Sequence, residues 1–211
     1  ALALTTTLVM TAQAQDLRIS MYADITGLDP HDTSDNVSYS VQSGIFERLF
    51  QFDPQMKLEP WLATGYTSND SATEFTLTLR KGVTFQDGTP FDAEAVKANL
   101  DRLADQKKGL KRNSLYKMID KVTVLAPDQV KISLNQSFGA FINTLAHPSA
   151  VMWSPSVLKQ YPDEAQLRLH PVGTGPFKFV NWTPGKAVTL AKYDGYWRQG
   201  WPKVDQVIFS P

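Results

Sequence analysis

The segment FTLTLRKGVTFQDGTPFDAEAVKANLDR, residues 75–102, contains a strand, a turn and a capped helix in close succession. Its first six residues alternate apolar and polar side chains, which predicts a strand with one buried face. Asp92 stands where its carboxylate can accept the free N–H groups of a first helical turn, and Glu94 favours the positive end of the helix dipole. The buried stripe of this helix is predicted to consist of Val96, Leu100 and Leu103.

Upstream of this segment, one strand and one helix are predicted. Residues 17–22 alternate with a period of two, as a strand does. Apolar residues at i+4 spacing predict a helix from Ser38 to Phe50. The intervening residues are dense in Gly, Pro, Asp and Asn and indicate a loop.

Downstream, hairpins and short helices follow one another. Residues 122–134 and 177–193 each contain two alternating strands around a turn, and residues 204–210 form a last strand. Short helices are predicted over 138–146 and 154–161, the second with Ser154 as its cap. Because strands and helices are mixed without a regular alternation, the sequence predicts an α+β fold.

The composition is that of a globular protein, with 42% hydrophobic and 20% charged residues in 211. A chain of this length buries roughly 70% of its unfolded surface, which is enough for a core. Lys plus Arg and Asp plus Glu number 21 each, and this zero net charge disfavours nucleic acid as a partner. The sequence has no cysteine, which excludes disulfides, thiolate catalysis and Cys-bound metal.

The first fourteen residues, ALALTTTLVMTAQA, are uncharged and mostly small or apolar. They end in the A-x-A pattern of a secretory cleavage site, and polar residues begin at once with Gln15. We therefore expect residues 1–14 to be the remnant of a signal peptide and the mature protein to begin at Gln15. The alternative is a buried N-terminal helix or strand. No segment is apolar over the about 18 residues that a membrane span requires, so none is expected.

The stretch PVGTGPFKFVNWTPGK, residues 171–186, raises the question of a nucleotide site. A Walker loop has glycine five positions before its Gly-Lys pair, and here Val180 occupies that position. Gly173 and Gly175 are followed by Pro176 and a strand pattern, so no helix N-terminus is available for a phosphate. These glycines therefore predict a tight turn that exposes backbone N–H groups, and no nucleotide loop.

The sequence contains no recognisable catalytic or metal-binding pattern. The three histidines, His31, His147 and His170, lack the spacing of metal ligands, and there is no G-x-S-x-G motif. Neighbouring aspartates lie in predicted turns or at a helix cap, where Asp is common. We expect no metal, no cofactor and no enzymatic activity.

Three stretches together resemble the family 5 extracellular solute-binding proteins. YADITGLDPHDTSD, residues 22–35, is similar to the first strand and "LDP" loop of that family. Residues 75–102 resemble its signature F-x-L-R-x-G-V-x-F-x-D-G, and residues 171–209 resemble its "GTGPY" turn and closing strand pair. The three stretches occur in family order and cover nearly the whole chain after residue 16.

This resemblance implies a monomeric periplasmic receptor of an ABC importer, which closes two lobes over its ligand and passes it to permease subunits. The implied fold is a periplasmic-binding-protein-like (type II) lobe with an inserted small α/β domain. Residues 15–45 and 170–211 would form the first lobe, and residues 46–169 the insert. Since family members are more than twice this long, we expect the second lobe to be missing.

Within the family, residues 97–120 and 137–158 resemble the glutathione-binding branch most. The expected ligand is therefore a short peptide, either glutathione or a di- or oligopeptide. Two alternatives stay open at this point. One is a secreted hydrolase whose catalytic groups lie in the missing half, and the other is a metal-chelate receptor of the nickel type.

The cleft wall is predicted to come from the loop after the first strand, Tyr22 to Thr26, and from the Gly173–Gly175 turn, mainly through backbone groups. Arg112 is the candidate partner of a ligand carboxylate, because a guanidinium can donate two parallel hydrogen bonds to it. Tyr39 and Tyr116 can add ring stacking and a hydroxyl group. The predicted ligand-binding residues are Tyr22, Ala23, Asp24, Thr26, Tyr39, Arg112, Tyr116, Thr174 and Gly175.

A structural role is the alternative for each of these residues. Gly175 can simply form a tight turn, as glycine commonly does. Arg112 follows Lys107, Lys108 and Lys111, and such a run of charges usually forms a solvated face.

Overall fold

The computed structural model describes residues 15–211, in which ten strands and five α-helices are present. The predicted signal-peptide remnant, residues 1–14, lies outside the described residues. The strands are β1 (Asp16–Ser20), β2 (Phe50–Phe52), β3 (Leu58–Pro60), β4 (Ala63–Ser68), β5 (Glu74–Leu79), β6 (Ile119–Ala126), β7 (Gln129–Leu134), β8 (Phe177–Thr183), β9 (Ala187–Lys192) and β10 (Gln206–Ser210). The helices are α1 (Asn36–Gln42), α2 (Ala93–Ala104), α3 (Phe141–Thr144), α4 (Pro155–Gln160) and α5 (Glu164–Leu167).

The strands form two four-stranded sheets and one two-stranded sheet. In the first sheet the order is β1-β10-β9-β8, and β1 runs parallel to β10 with Asp16 opposite Gln206. The second sheet has the order β4-β5-β7-β6 and is antiparallel throughout. The small sheet pairs β2 with β3. The first sheet therefore joins the beginning and the end of the described chain.

The buried apolar residues form two clusters. One lies between the second sheet and α2, and its members run from Leu49 to Met152. The other joins α1 to strands β8–β10. This second cluster also includes Trp153, Val157 and Leu167, which come from the segment assigned above to the inserted domain. The division into lobe and insert stays a prediction.

The segment that predicted the fold has the expected structure. The carboxylate of Asp92 accepts a hydrogen bond from the backbone N–H of Ala95 at 2.9 Å, which caps α2. The three apolar residues of the stripe, Val96, Leu100 and Leu103, are fully buried. Since the cap, the dipole and the stripe are all local signals, this helix could be recognised from sequence.

The helix predicted from Ser38 to Phe50 is too long, because α1 ends at Gln42. Beyond it, the carbonyl of Gly44 accepts a hydrogen bond from Phe177 N, and the carbonyl of Ile45 accepts one from Gly175 N, both at 2.9 Å. These bonds replace the i+4 helical bonds. The i+4 spacing of the apolar residues therefore reflects that they are buried. The apolar residues among 45–50 are buried without being helical.

Ser154 is also corrected, because it makes no side-chain cap at α4. Its hydroxyl donates to the carboxylate of Asp87 at 2.5 Å instead. Pro155 does occupy the first turn of α4, as predicted. The sequence did not predict strands β2, β3 and β4 or helix α5.

A buried ionic network fixes the LDP loop on α2. Arg102 donates to the carboxylate of Asp29 at 2.6 Å and to Nδ1 of His31 at 2.6 Å, and it is also paired with Glu164. Nε2 of His31 in turn contacts the carbonyl of Val151 at 3.0 Å. With Arg102 donating to Nδ1, the neutral histidine carries its proton on Nε2. The network positions the loop that leads into α1.

Candidate functional site

A concave pocket of about 510 Å³ opens beside α1. Its walls are α1, the chain from Phe46 to Gln51, and short stretches that precede β8 and follow β9. Pockets for small molecules commonly have a volume of roughly 300–1,000 Å³. The polar and aromatic residues that line it include Asn36, Tyr39, Glu47, Arg48, Trp61 and Tyr196.

Glu47 is the buried carboxylate of this pocket, with 6% of its surface exposed. One oxygen accepts hydrogen bonds from the indole N–H of Trp61 at 2.8 Å and the hydroxyl of Tyr196 at 2.7 Å. The other accepts from the hydroxyl of Thr174 at 2.8 Å and the indole N–H of Trp197 at 3.0 Å. Glu47 therefore connects three distant parts of the chain.

None of these four donors carries a positive charge, which shapes the electrostatics of Glu47. Burial raises the pKa of this carboxyl above its usual range, although the four hydrogen bonds act in the opposite direction. The two tryptophans that bond to Glu47 also contact each other and an arginine. Trp61 and Trp197 meet edge to face at 5.4 Å, and Arg80 lies 4.3 Å from the ring centre of Trp197.

Arg48 follows Glu47 and also lines the pocket. It is half-buried, and its Nη1 donates to the carbonyl of Ala146 at 3.1 Å. Burial lowers the pKa of its guanidinium, while Glu47 raises it. Among residues 15–211, no carboxylate lies within 4.0 Å of Arg48. Its charge is therefore not neutralised by an ion pair.

Tyr39 and Arg112, both predicted from sequence, are in contact. The Nε of Arg112 donates to the hydroxyl of Tyr39 at 3.0 Å and to the carbonyl of Thr33 at 2.9 Å. The guanidinium also lies 5.8 Å from the ring centre of Tyr39. In the described part of the chain, Nη1 and Nη2 of Arg112 have no hydrogen-bond partner. The side chain is thus held by Nε, and its other two nitrogens stay available.

His147 lies edge-on to Tyr39, with the two ring centres 6.2 Å apart. Its Nδ1 accepts a hydrogen bond from the backbone N–H of Ser149 at 3.1 Å, which leaves the proton of the neutral ring on Nε2. Burial, Arg112 and Arg48 all lower the pKa of this imidazole. The ring is therefore neutral at pH 7 and presents an N–H donor.

The arrangement can bind an anion. The guanidinium of Arg112 and the imidazole of His147 both lie at the ring of Tyr39. Arg48 lines the same pocket as Tyr39 and donates to the carbonyl of Ala146, next to His147. Residues 15–211 contain no group of three or more His, Asp or Glu side chains placed to hold a metal ion. Nor do they contain a helix with the length and apolar character needed to cross a membrane.

The Gly173–Gly175 turn lies under the pocket wall and not on its surface. Thr174 is fully buried, and a Cβ on Gly175 would meet backbone atoms of Gly44 and Ile45 at 2.7 Å. The φ angle of Gly175 is not in the left-handed region, so its conformation is open to other residues. Glycine is required here because two backbones approach closely. Pro176, the next residue, does line the pocket.

Tyr116 is corrected from a stacking residue to a core residue. It is fully buried, and its hydroxyl is hydrogen-bonded to that of Ser149 at 2.7 Å. Burial raises the pKa of this phenol. Tyr116 supports His147 through Ser149, which also bonds to Nδ1 of the imidazole at 2.8 Å.

The loop from Tyr22 to Thr26 is not part of the pocket lining. Tyr22 is 88% exposed. The carboxylate of Asp24 accepts from the backbone N–H of Gly185 at 2.6 Å, which fastens the loop to the β8–β9 turn. Thr26 donates to Asp35 at 2.6 Å. Ala23 packs against the second apolar cluster.

Glu47 and Arg48 were missed because they lie in an apolar run, GIFERLF, that was assigned to a helix. The signal that could have found them is the presence of two adjacent charges in that run. A charged residue is rarely buried unless its polar atoms are paired. Asn36, Ser40 and Ser43, which also line the pocket, have no distinguishing pattern in the sequence.

Residues 57–211 match the family described as "Bacterial extracellular solute-binding proteins, family 5 Middle". A curated relative, the glutathione-binding protein GsiB of Salmonella paratyphi A, is 46% identical over 198 residues. That match covers 94% of this chain and 38% of the relative. The chain therefore spans well under half the length of the curated relatives it matches.

Solved structures are also matched over about two fifths of their length. The periplasmic binding protein AgaA of A. tumefaciens R10, in complex with agropinic acid, is 32% identical with a TM-score of 0.84, over 92% of this chain and 39% of that one. A nickel ABC transporter protein from Bacillus halodurans is 34% identical with a TM-score of 0.77, over 93% of this chain and 38% of that one. The fold expected from sequence, that of a periplasmic binding protein, is confirmed.

Proposed function

Because the chain belongs to family 5 of the bacterial extracellular solute-binding proteins, we propose that it is part of a periplasmic receptor that captures a short peptide. The proposed ligand is glutathione or a di- or oligopeptide, which the receptor delivers to the permease subunits of an ABC importer. The observation that carries this proposal is Arg112, a guanidinium held by Nε beside the pocket with its other nitrogens available.

Arg112 explains how a peptide carboxylate would be held. Tyr39 and the carbonyl of Thr33 fix the guanidinium before a ligand arrives, so little side-chain freedom is lost on binding. Two parallel N–H donors suit the two oxygens of a carboxylate. The ring of Tyr39 and the indole of Trp61 supply apolar surface for the rest of a short peptide.

Glu47 has a supporting part in this proposal. Its four hydrogen bonds connect Trp61, Thr174, Tyr196 and Trp197, so the pocket floor is fixed before binding. A fixed floor keeps the neighbouring Arg48 and Pro176 in place. Preorganisation of this kind lowers the entropic cost of binding.

The proposed receptor has two lobes that close over the ligand. Residues 15–45 and 170–211 belong to the first lobe in this proposal, with 46–169 as its inserted domain. The relatives are long enough to contain a second lobe, since this chain covers 38% of a glutathione-binding protein. The receptor acts as a monomer in the periplasm and is not an enzyme. The extracellular character of the family supports that location.

Thermal unfolding of the full-length protein with a ligand panel tests this proposal. The panel contains reduced glutathione, neutral and acidic dipeptides, and a nickel–histidine complex, and each ligand is recovered afterwards for mass spectrometry. We expect glutathione or an acidic peptide to raise the melting temperature and to be recovered intact. At a concentration 100 times Kd, a ligand stabilises the folded state by about 2.7 kcal/mol.

Two other results would overturn the proposal and point elsewhere. Recovery of hydrolysed peptide would indicate a secreted hydrolase. A shift with the nickel–histidine complex alone would indicate a metal-chelate receptor, the function class that the name of the Bacillus halodurans structure suggests for that protein.

A further inference from the structure

We infer that Arg48 binds a second acidic group of the ligand, so that the receptor selects peptides with two carboxylates. This inference rests on the proposed function and adds a specificity-determining residue to it. Arg112 binds one carboxylate, and Arg48, on a different segment of the chain, binds the other.

The backbone of Arg48 is firmly held at the pocket. Arg48 forms a β-bridge with Val151, and its carbonyl accepts a hydrogen bond from the backbone N–H of Leu62 at 3.3 Å. The preceding carbonyl, that of Glu47, accepts from the backbone N–H of Met152 at 3.0 Å. The long side chain therefore starts from a fixed base and lines the pocket.

No carboxylate among the described residues is hydrogen-bonded to Arg48, although Glu47 lies near enough to favour its charged form. The one hydrogen bond of Arg48 to the described protein goes to the carbonyl of Ala146, which carries no charge. The adjacent Glu47 cannot serve as an ion-pair partner in this arrangement, because four other donors occupy its two oxygens. Removing a charge from water without a partner is costly, so a half-buried guanidinium in a pocket favours an anion there.

Other arginines of the chain show the contrast. Arg102 is more deeply buried and is paired with Asp29 and Glu164. Arg18 and Arg168 are exposed and lie near Asp16 and Asp32, at 3.9 Å and 3.8 Å. Arg48 lines the pocket and Arg112 lies beside it at Tyr39, and neither has a carboxylate within 4.0 Å among the described residues. Arg80 and Arg198 also lack a carboxylate partner there, but they stack on Trp197 and Trp61.

Arg48 and Arg112 lie close enough to act on the same group. Nη1 of Arg48 donates to the carbonyl of Ala146, the residue before His147, at 3.1 Å. Arg112 donates to the hydroxyl of Tyr39 at 3.0 Å, and the ring of Tyr39 lies edge-on to His147 at 6.2 Å. The two guanidiniums thus flank one region while they are attached to separate segments. A ligand with carboxylates at two ends fits this arrangement, whereas a ligand with one carboxylate leaves one guanidinium unpaired. Glutathione has two such carboxylates, one on its glutamyl residue and one on its glycine.

A cycle of protein and ligand changes tests the inference with the full-length protein. The variants are Arg48→Gln and Arg112→Gln. The probes are reduced glutathione, glutathione esterified on glycine, and glutathione amidated on the glutamyl α-carboxylate. We expect each capped probe to bind the unmodified protein roughly ten- to hundredfold more weakly than glutathione, since hydrogen bonds to charged groups are of that strength.

The affinity of each variant should then be unaffected by the capping of one carboxylate, and should still fall when the other carboxylate is capped. Arg48→Gln should bind glutathione roughly ten- to hundredfold more weakly and be indifferent to one of the two caps, while Arg112→Gln should be indifferent to the other. The inference is overturned if Arg48→Gln binds glutathione as the unmodified protein does. It is also overturned if Arg48→Gln keeps the full penalty for both caps.

Two controls separate this result from a loss of folding. Arg18→Gln removes one exposed charge far along the chain, on β1, and should leave all three affinities unchanged. Arg48→Lys keeps the charge but loses the paired donors, so it should show a smaller loss for the same carboxylate. If the unmodified protein binds no peptide at all, the proposed function fails and this inference fails with it. If it binds glutathione but the variants show no coupling, only this inference fails.

Discussion

The carboxylate of Glu47 accepts a hydrogen bond from the hydroxyl of Thr174 at 2.8 Å, although 127 positions separate them in the chain. This bond joins the segment after α1 to the turn before β8, at the floor of the pocket. The glycines on either side of Thr174 allow the turn to approach Ile45 closely enough to make it. The turn thus supports the pocket floor without lining the pocket.

Glu47→Gln is expected to destabilise the full-length protein by about 2–4 kcal/mol. A glutamine has one acceptor oxygen, and its NH₂ group would face one indole N–H and one hydroxyl. The hydroxyl can turn to accept from the NH₂ group, but the indole N–H loses its partner. Urea denaturation measures the change. Glu94→Gln, an exposed change in the first turn of α2, serves as the control and should cost less than about 1 kcal/mol. Equal stability of the two variants would show that the four hydrogen bonds contribute nothing.

Gly175→Ala is expected to destabilise the protein by about 1–3 kcal/mol, because the new Cβ would lie 2.7 Å from the backbone of Gly44 and Ile45. The matched control is Gly139→Ala. A Cβ added at Gly139 would have no heavy atom within 4 Å, and the φ of this glycine is not positive. Thermal unfolding should therefore separate the two substitutions, and a Gly175→Ala variant as stable as Gly139→Ala contradicts the close approach.

Acid is expected to destabilise the protein through His31. Burial and Arg102 lower the pKa of His31 to about 4, against about 6.5 in an unfolded chain. Between these values the unfolded state binds more protons, so this contribution to the free energy of unfolding is complete above pH 6.5 and is lost as the pH falls towards 4. The loss is on the order of 3 kcal/mol.

Urea denaturation at several values between pH 7.5 and 4.5 measures this loss, with His31→Gln as the comparison. Glutamine can accept from Arg102 and donate to Val151 but does not titrate, so its stability should depend less on pH over this range. Parallel pH dependences of the two proteins would mean that His31 is not the titrating group.

The parts of the fold that local signals specify could be predicted from the sequence. Helix α2 has its cap, its dipole and its apolar stripe within thirteen residues, Asp92 to Ala104. Helix α1 was overextended because its true end depends on carbonyls that bond to residues 175 and 177. No property of residues 43–50 alone reveals those partners.

In the candidate site, too, the residues with local sequence signals could be predicted and the contacts between distant residues could not. Arg112 and Tyr39 belong to a recognisable basic loop and an amphipathic helix, and the structure brings them together. The pairing of Glu47 with Thr174, Tyr196 and Trp197 joins residues 127 to 150 positions apart, which a single sequence does not disclose. The place of the Tyr22–Thr26 loop in a cleft stays a prediction from the resemblance. Its Asp24 and Thr26 side chains hydrogen-bond to β8–β9 and to Asp35 at the start of α1.

Calorimetric titration of glutathione into the full-length protein and its Arg112→Ala variant tests the central claim most directly. We expect saturation at one glutathione per protein, and a loss of about 1.5–3 kcal/mol of binding free energy in Arg112→Ala, because a charged hydrogen bond from a half-buried guanidinium beside the pocket is removed. Lys107→Ala, an exposed change in the same basic loop, should leave the affinity unchanged. An unchanged affinity in Arg112→Ala would place Arg112 on a solvated face and contradict the account.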